Sequence, residues 1–306
     1  MKIAVMGTGA MGGYVGARLA EAGADVTFIA RGAHLAAIRK DGLRVTSPEG
    51  DMHLDPARAT DNPGEVGEVD FILLGVKLYD VEAAVRDLLP MMGPETGVIS
   101  LQNGVDTPAV ISKIAGPEHA VPGVALINGE IAAPGVIQHN ALNGLTLGEP
   151  DGRDSPRMKA FRKLGQGAAL EVIISPDILL ELWRKVLMLT PMSGLSILTR
   201  LPLGRIRETP ETWRLAGPAM AEVIAVAQAE GIGLGEADLQ NTQTFTGQIM
   251  PDTWRGSLVE DLEAGRRLEV EWLHGTICRL GEKHGIETPF HRTVLGALRP
   301  HANGAN

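Results

Sequence analysis

The first thirty residues change hydrophobic period twice. Residues 1–6 form a short apolar, β-branched run that gives way to Gly7-Thr8-Gly9-Ala10-Met11-Gly12. Residues 14–22 carry apolar side chains at helical spacing up to Gly23, and 25–30 again read as a strand. Strand, glycine turn, helix and strand in that order open a doubly wound parallel sheet. The pattern continues with a buried strand over 69–76, a helix over 81–89 and a strand over 97–101. Further strands are predicted at 121–127, 135–139 and 145–148, as an antiparallel extension of the sheet. After Ser175-Pro176-Asp177 the alternation disappears. Residues 178–189, 218–231, 256–265 and 269–284 carry helical spacing instead, and Pro191 interrupts the helix pattern. The chain is predicted to divide into an α/β domain, 1–175, and an all-α domain, 176–306. Residues 300–306 are predicted to be a frayed tail.

Composition narrows the class. A chain of 306 residues is long enough for two domains and a core that needs neither disulfides nor metals. With 44% hydrophobic and 21% charged residues it is not a disordered chain. A net charge of −9 predicts no general attraction to nucleic acid or anionic membranes. Cys278, the single cysteine, excludes an intrachain disulfide and a Cys-rich zinc site, and is expected inside a helix. No apolar run reaches the roughly 18 residues of a membrane span, and glycines interrupt the N-terminus where an export signal needs a continuous apolar stretch. A soluble, cytoplasmic protein is expected. The histidines form no HxxxH or HExxH pair, so no metal site is predicted. Ser193 and Ser257 lack the GxSxG setting of a hydrolase nucleophile.

The glycine turn is the first element that carries chemistry. Gly7 permits a tight turn, Gly9 lets the backbone approach a pyrophosphate, and Gly12 allows close helix–strand packing. The phosphates then meet the unpaired N–H groups of Ala10, Met11 and Gly12 at the helix N-terminus. This is the fingerprint of a Rossmann-type dinucleotide site. An acid at the tip of the second strand would select NAD, whereas an arginine accommodates the 2′-phosphate of NADP. The tip carries no acid and ends in Arg31, so NADP(H) is predicted. Two further stretches fall where strands should end at the cofactor crevice. Lys77 is either a contact to ribose or phosphate oxygens or an ordinary exposed lysine. Asn103, before Gly104, is either a turn-former or a nicotinamide or substrate contact.

GTGAMG, Ala30-Arg31-Gly32-Ala33-His34, Val76-Lys77-Leu78-Tyr79-Asp80 and Leu101-Gln102-Asn103-Gly104-Val105 together resemble the 2-dehydropantoate 2-reductase (ketopantoate reductase) family. The helical half agrees: Trp183-Arg184-Lys185, the segment beginning Ser257-Leu258-Val259-Glu260-Asp261, and Leu268-Glu269, with Leu268 where the family has threonine, fall in the family's order. The resemblance implies NADPH-dependent reduction of a 2-oxo acid in pantothenate biosynthesis. It makes Lys185 the general acid and Glu269 the carboxylate that orients it. It also makes Ser257 and Asn103 substrate contacts, with Asn103 near the nicotinamide. A protonated lysine suits the task, because hydride arriving at a carbonyl carbon leaves negative charge on the oxygen.

The departures concern the substrate. Leu189 stands one turn after Lys185, and Ser193 two turns after it, where the family usually has asparagines that bond the lysine, the carboxylate or the substrate hydroxyl. Ser193 stays a candidate substrate contact. The loss of such bonds predicts a more apolar pocket that favours a different ketone or 2-oxo acid. Two other functions stay open: an NADPH-binding sensor without turnover, and a reductive amination on the same plan. The expected partner is a small molecule, and a homodimer through the helical half is left open.

Overall fold

The first strand, β1 (Lys2–Met6), sends Ile3 and Val5 into one core and Ala4 and Met6 into another. That is the two-residue period of a strand covered on both faces. The computed structural model describes residues 1–305, which divide into two units, 1–102 with 107–181 and 103–106 with 182–305.

After β1, the first unit runs α1 (Ala10–Glu21), β2 (Asp25–Ile29), α2 (Gly32–Asp41), β3 (Leu43–Thr46), β4 (Met52–Leu54) and β5 (Ala59–Thr60). It continues with β6 (Val69–Leu74), α3 (Val81–Asp87), β7 (Met92–Ser100), α4 (Thr107–Ala115) and β8 (Ala120–Val121). Then come β9 (Gly123–Ala133), β10 (Val136–Leu147), α5 (Pro156–Gly167) and β11 (Glu171–Ile174). Six strands pair in parallel in the order β5-β2-β1-β6-β7-β8, the Rossmann-like arrangement the opening pattern predicts. The strand order reverses between β1 and β6. Their carboxyl ends therefore open the crevice in which ligands of such sheets bind.

The later strands correct the expectation of an antiparallel extension. β9 and β10 do pair antiparallel, but they belong to a separate sheet of order β11-β10-β3-β4 with β9 on the other side of β10. Helix α1 explains why a second sheet forms. Tyr14, Val15, Ala17 and Leu19 are all fully buried, so α1 is apolar on both sides and needs two partners. A Cβ at Gly16 would crowd Val5 and Phe28 of the parallel sheet, and one at Gly13 would overlap Ile137 of the second. The expected strands at 135–139 and 145–148 are one strand, β10. Its polar middle, Asn140–Asn143, stays in the sheet through register shifts, with Leu142 at φ +66°.

The second unit contains α6 (Ile178–Thr199) from residue 182 on, α7 (Leu203–Glu208), α8 (Pro210–Trp213), α9 (Ala216–Ala229), α10 (Glu236–Thr244), α11 (Ser257–Glu263), α12 (Val270–His284) and α13 (Pro289–Leu298). Pro191 does not end α6; the helix runs through it to Thr199. Proline forfeits one backbone bond there, and burial of Met192, Leu195 and Ile197 beyond it offsets the loss. The tail is docked rather than frayed. Leu268 N–H donates to the Ala302 carbonyl and Ala305 N–H to that of Gly265, each at 2.9 Å. Asn306 lies outside the described residues. Cys278 is buried in α12, as expected.

Two fully buried imidazoles sit where α12 and α13 meet. His291 Nε2 donates to the Ala219 carbonyl at 3.1 Å, so its Nδ1 accepts from His274 Nδ1–H at 3.0 Å. Glu222 accepts the Phe290 and His291 backbone N–H groups at the start of α13. Burial holds His274 well below the ordinary histidine value, helped by the neighbouring ring, and brings His291 down to about 4. The unfolded chain takes up these protons first. Stability is therefore full above pH ~6.5 and falls as pH drops toward ~4, by on the order of 3 kcal/mol for His291. Thermal melts between pH 7 and pH 4 should show this slope, and His291→Gln, which keeps a donor but cannot titrate, should flatten it.

Candidate functional site

Gly7 follows β1 with φ +98°, and a Cβ there would lie 2.7 Å from Val76 N and 2.8 Å from Val76 Cγ1. No other residue fits both that backbone region and that approach to the end of β6. A Cβ at Gly12 would overlap the Gly7 carbonyl oxygen. At Gly9, by contrast, a Cβ would meet no atom within 4 Å. Thr8 is buried and donates its hydroxyl at 2.9 Å and its N–H at 3.2 Å to the Ile29 carbonyl, which fastens the turn to the end of β2. Gly9 caps α1 without any side-chain bond, so the first N–H groups of the helix, at Ala10, Met11 and Gly12, face outward. The turn combines uncapped donors with a surface bare of side chains, and both fit a dinucleotide pyrophosphate.

Arg31 caps α2 two residues past the end of β2. It is exposed and pairs with Asp87 at the end of α3, with Nη2 3.3 Å from Oδ2. Lys77 is also exposed and leads into the short helical turn Leu78–Asp80 after β6. Both cations thus stand at the carboxyl edge of the parallel sheet, beside strands that neighbour β1. His34, not singled out from the sequence, lies in the first turn of α2. Its Nδ1 accepts the Gly135 N–H at 3.0 Å. Burial lowers its pKa, opposed by a hydrogen bond with the Thr8 backbone, so the ring adjoins the glycine turn. The stretch Ala30–His34 carries part of the family resemblance, but only spatial closeness brings its histidine to the glycine turn.

The second unit gathers the other candidates. Lys185 lies on α6, partly buried, and burial lowers its pKa to about 8. Leu189, half-buried, and Ser193, buried, follow on the same helix face at intervals of four. A Cβ at Gly256 would sit 2.9 Å from Ser193 Oγ, so Ser193 packs against the residue just before Ser257. Ser257 is exposed at the first position of α11. Glu269 caps α12, is 7% exposed, and its carbonyl accepts the Trp272 and Leu273 N–H groups. Asn103 begins the loop 103–106, which belongs to this unit. Gly104 and Val105 line a narrow cleft with Val186 and Thr190 of α6 and Trp272 and Leu273 of α12. Three candidate residues are chain neighbours of residues that line this cleft: Asn103 precedes Gly104, Lys185 precedes Val186, and Glu269 lies one turn before Trp272. Ser193 and Ser257 make a second grouping. Among the described residues no group of three His, Cys, Asp or Glu side chains could hold a metal, and no helix is long and apolar enough to cross a membrane.

Comparison with known proteins is consistent along the chain. Residues 3–152 match the family model described as ketopantoate reductase PanE/ApbA, and 177–302 match its C-terminal counterpart. The 2-dehydropantoate 2-reductase of Mesorhizobium japonicum is 30% identical over 98% of this chain and 97% of its own. That of Caulobacter vibrioides is 33% identical over 97% of each chain. The crystal structure of a PanE/ApbA family ketopantoate reductase from Ralstonia eutropha matches with a TM-score of 0.90 at 29% identity, covering 99% of this chain and 98% of that one.

Proposed function

We propose that this chain, which belongs to the ketopantoate reductase family, reduces a 2-oxo acid with NADPH, and that 2-dehydropantoate is the substrate. The observation that carries the reading is Lys185, a partly buried lysine with a pKa of about 8, on the helix that shares a seam with the start of α12 and the 103–106 loop. Residues 1–175 hold the cofactor, and 176–306 supply catalysis and, together with Asn103, substrate binding. Bound NADPH supplies hydride to the carbonyl carbon. Gly7, Thr8, Gly9, Ala10, Met11 and Gly12 hold its pyrophosphate, Arg31 its 2′-phosphate, Lys77 its ribose or phosphate oxygens, and Asn103 meets its nicotinamide.

Lys185 Nζ stabilises the charge that develops on the carbonyl oxygen and gives it a proton. Glu269, buried at the head of α12, orients the ammonium. Ser257, Ser193 and Asn103 contact the substrate. The enzyme is cytoplasmic and serves pantothenate biosynthesis. Because the working form of Lys185 is the protonated one, reduction proceeds below pH ~8 and declines as pH rises through that value. Replacing Arg31 by alanine is expected to raise the Kd for NADPH about tenfold or more and to leave that for NADH unchanged; fluorescence titration with both cofactors checks it.

Leu189 favours a second reading. An apolar side chain one turn from Lys185 offers no hydrogen bond to a hydroxylated substrate, and suits a 2-oxo acid or ketone with an apolar chain. Turnover of 2-dehydropantoate against a panel of branched and aromatic 2-oxo acids tests both. A clear preference for 2-dehydropantoate supports the first reading, a preference for an apolar acid supports the second, and NADPH binding with no turnover overturns both in favour of a sensor.

A further inference from the structure

We infer that Asp106, Thr276 and Arg279 form a latch that positions Asn103 for the reduction; this rests on the reading of Asn103 given above. The chain leaves β7 at Ser100 and enters α4 at Thr107, both in the first unit, yet residues 103–106 belong to the helical one. The side chain of Asp106 accounts for that excursion. Its Oδ2 accepts the Thr276 hydroxyl at 2.5 Å and Arg279 Nη2 at 2.8 Å, and Arg279 also donates to Thr276 Oγ1 at 3.3 Å.

Counted from Glu269, the residues Trp272, Leu273, Thr276 and Arg279 fall at helical intervals of three and four, so one face of α12 runs from the carboxylate to the latch. The loop lies on that face. A Cβ at Gly104 would be 3.2 Å from the Trp272 carbonyl oxygen, and Val105 meets the cleft shared with Val186, the neighbour of Lys185. Thr276 is 2% exposed, whereas the Arg279 side chain is largely in solvent. The threonine hydroxyl is therefore the dominant grip, because water screens the arginine. With Asp106 held, Asn103 three residues earlier has a fixed place relative to the helices that bear Lys185 and Glu269. Thr276 and Asp106 are positioning residues: they act on the reaction through Asn103.

The test compares Thr276→Val, Thr276→Ser and Asp106→Ala in the full-length protein. Thr276→Val and Asp106→Ala should each lower kcat for 2-oxo acid reduction about tenfold to a hundredfold, with the Kd for NADPH unchanged because its phosphate anchors lie elsewhere. Thr276→Ser, which keeps the hydroxyl, should restore kcat. In a double-mutant cycle, Thr276→Val should add nothing to Asn103→Ala. Amide hydrogen exchange at 103–106 should rise in Thr276→Val. Wild-type kcat in Thr276→Val and Asp106→Ala, or effects that multiply with Asn103→Ala, would overturn the positioning role. Unchanged exchange at 103–106 would overturn the latch itself. A wild-type protein that turns over no 2-oxo acid would instead overturn the underlying reading, and the positioning role with it.

Discussion

Lys185→Ala should lower kcat for 2-oxo acid reduction by about 10²–10⁴-fold, the usual worth of a positioned general acid, and leave NADPH binding intact. The wild-type side chain has two features the alanine lacks. Burial brings its pKa to about 8, so near neutrality most molecules still carry the proton while the driving force for releasing it has grown. Its ammonium also supplies positive charge where the carbonyl oxygen becomes negative, in a partly dehydrated setting where such charge is worth more than in water. Lys185→Arg keeps the charge but gives the proton up far less readily. It should recover only part of the loss. Steady-state rates for the three proteins, beside their cofactor Kd values, measure this directly.

Gly9→Val should separate cofactor binding from folding. A Cβ at Gly9 meets nothing within 4 Å, so the substituted protein should fold and melt as the wild type does. The side chain would nevertheless occupy the bare surface over the uncapped start of α1, where phosphate oxygens must approach the N–H groups. Displacement of two such bonds is worth about 2–4 kcal/mol, a loss of roughly thirty- to a thousandfold in NADPH affinity. Gly12→Ala should behave in the opposite sense. Its Cβ would overlap the Gly7 carbonyl oxygen, so the helix must shift off the strand and the melting temperature falls along with affinity. Calorimetric melts and cofactor titrations on both variants distinguish the two effects. A Gly9→Val protein that binds NADPH normally would remove the pyrophosphate from this turn.

The opening of the fold was legible because three local signals agree there. Ile3 and Val5 alternate with Ala4 and Met6, the glycines fall at the spacing a tight turn requires, and the helix behind them carries apolar side chains at helical spacing. The second sheet was hidden because its information is not local. β3 and β4 are short, and β3 finds its parallel partner only in β10, so neither declares itself by period. The middle of β10 is polar and bulged, and a run that slips register twice reads as two strands. Pro191 misled for a related reason, since the packing beyond it, and not its own propensity, decides that α6 continues.

The candidate site divides in the same way. The glycine turn and Arg31 could be chosen from their place after a strand. Lys185 and Glu269 are ordinary charged residues in isolation, and only the resemblance to a family singled them out. Asn103 sits between two elements of the parallel-sheet unit, yet its loop belongs to the helical one, where the Thr276 hydroxyl donates to Asp106 across 170 positions. The His274–His291 pair gave no sign in the sequence either, because it requires α12 and α13 to turn their imidazoles toward each other.

The most direct test of the central claim is NADPH oxidation with 2-dehydropantoate, followed from pH 6 to pH 10 in the wild type and in Lys185→Ala. We expect wild-type turnover that declines as pH rises through about 8, and a variant that binds NADPH but has lost both the rate and that pH dependence. Equal rates in the two proteins, or bound NADPH that reduces no 2-oxo acid at any pH, would contradict the assignment of Lys185 as the acid of a reductase.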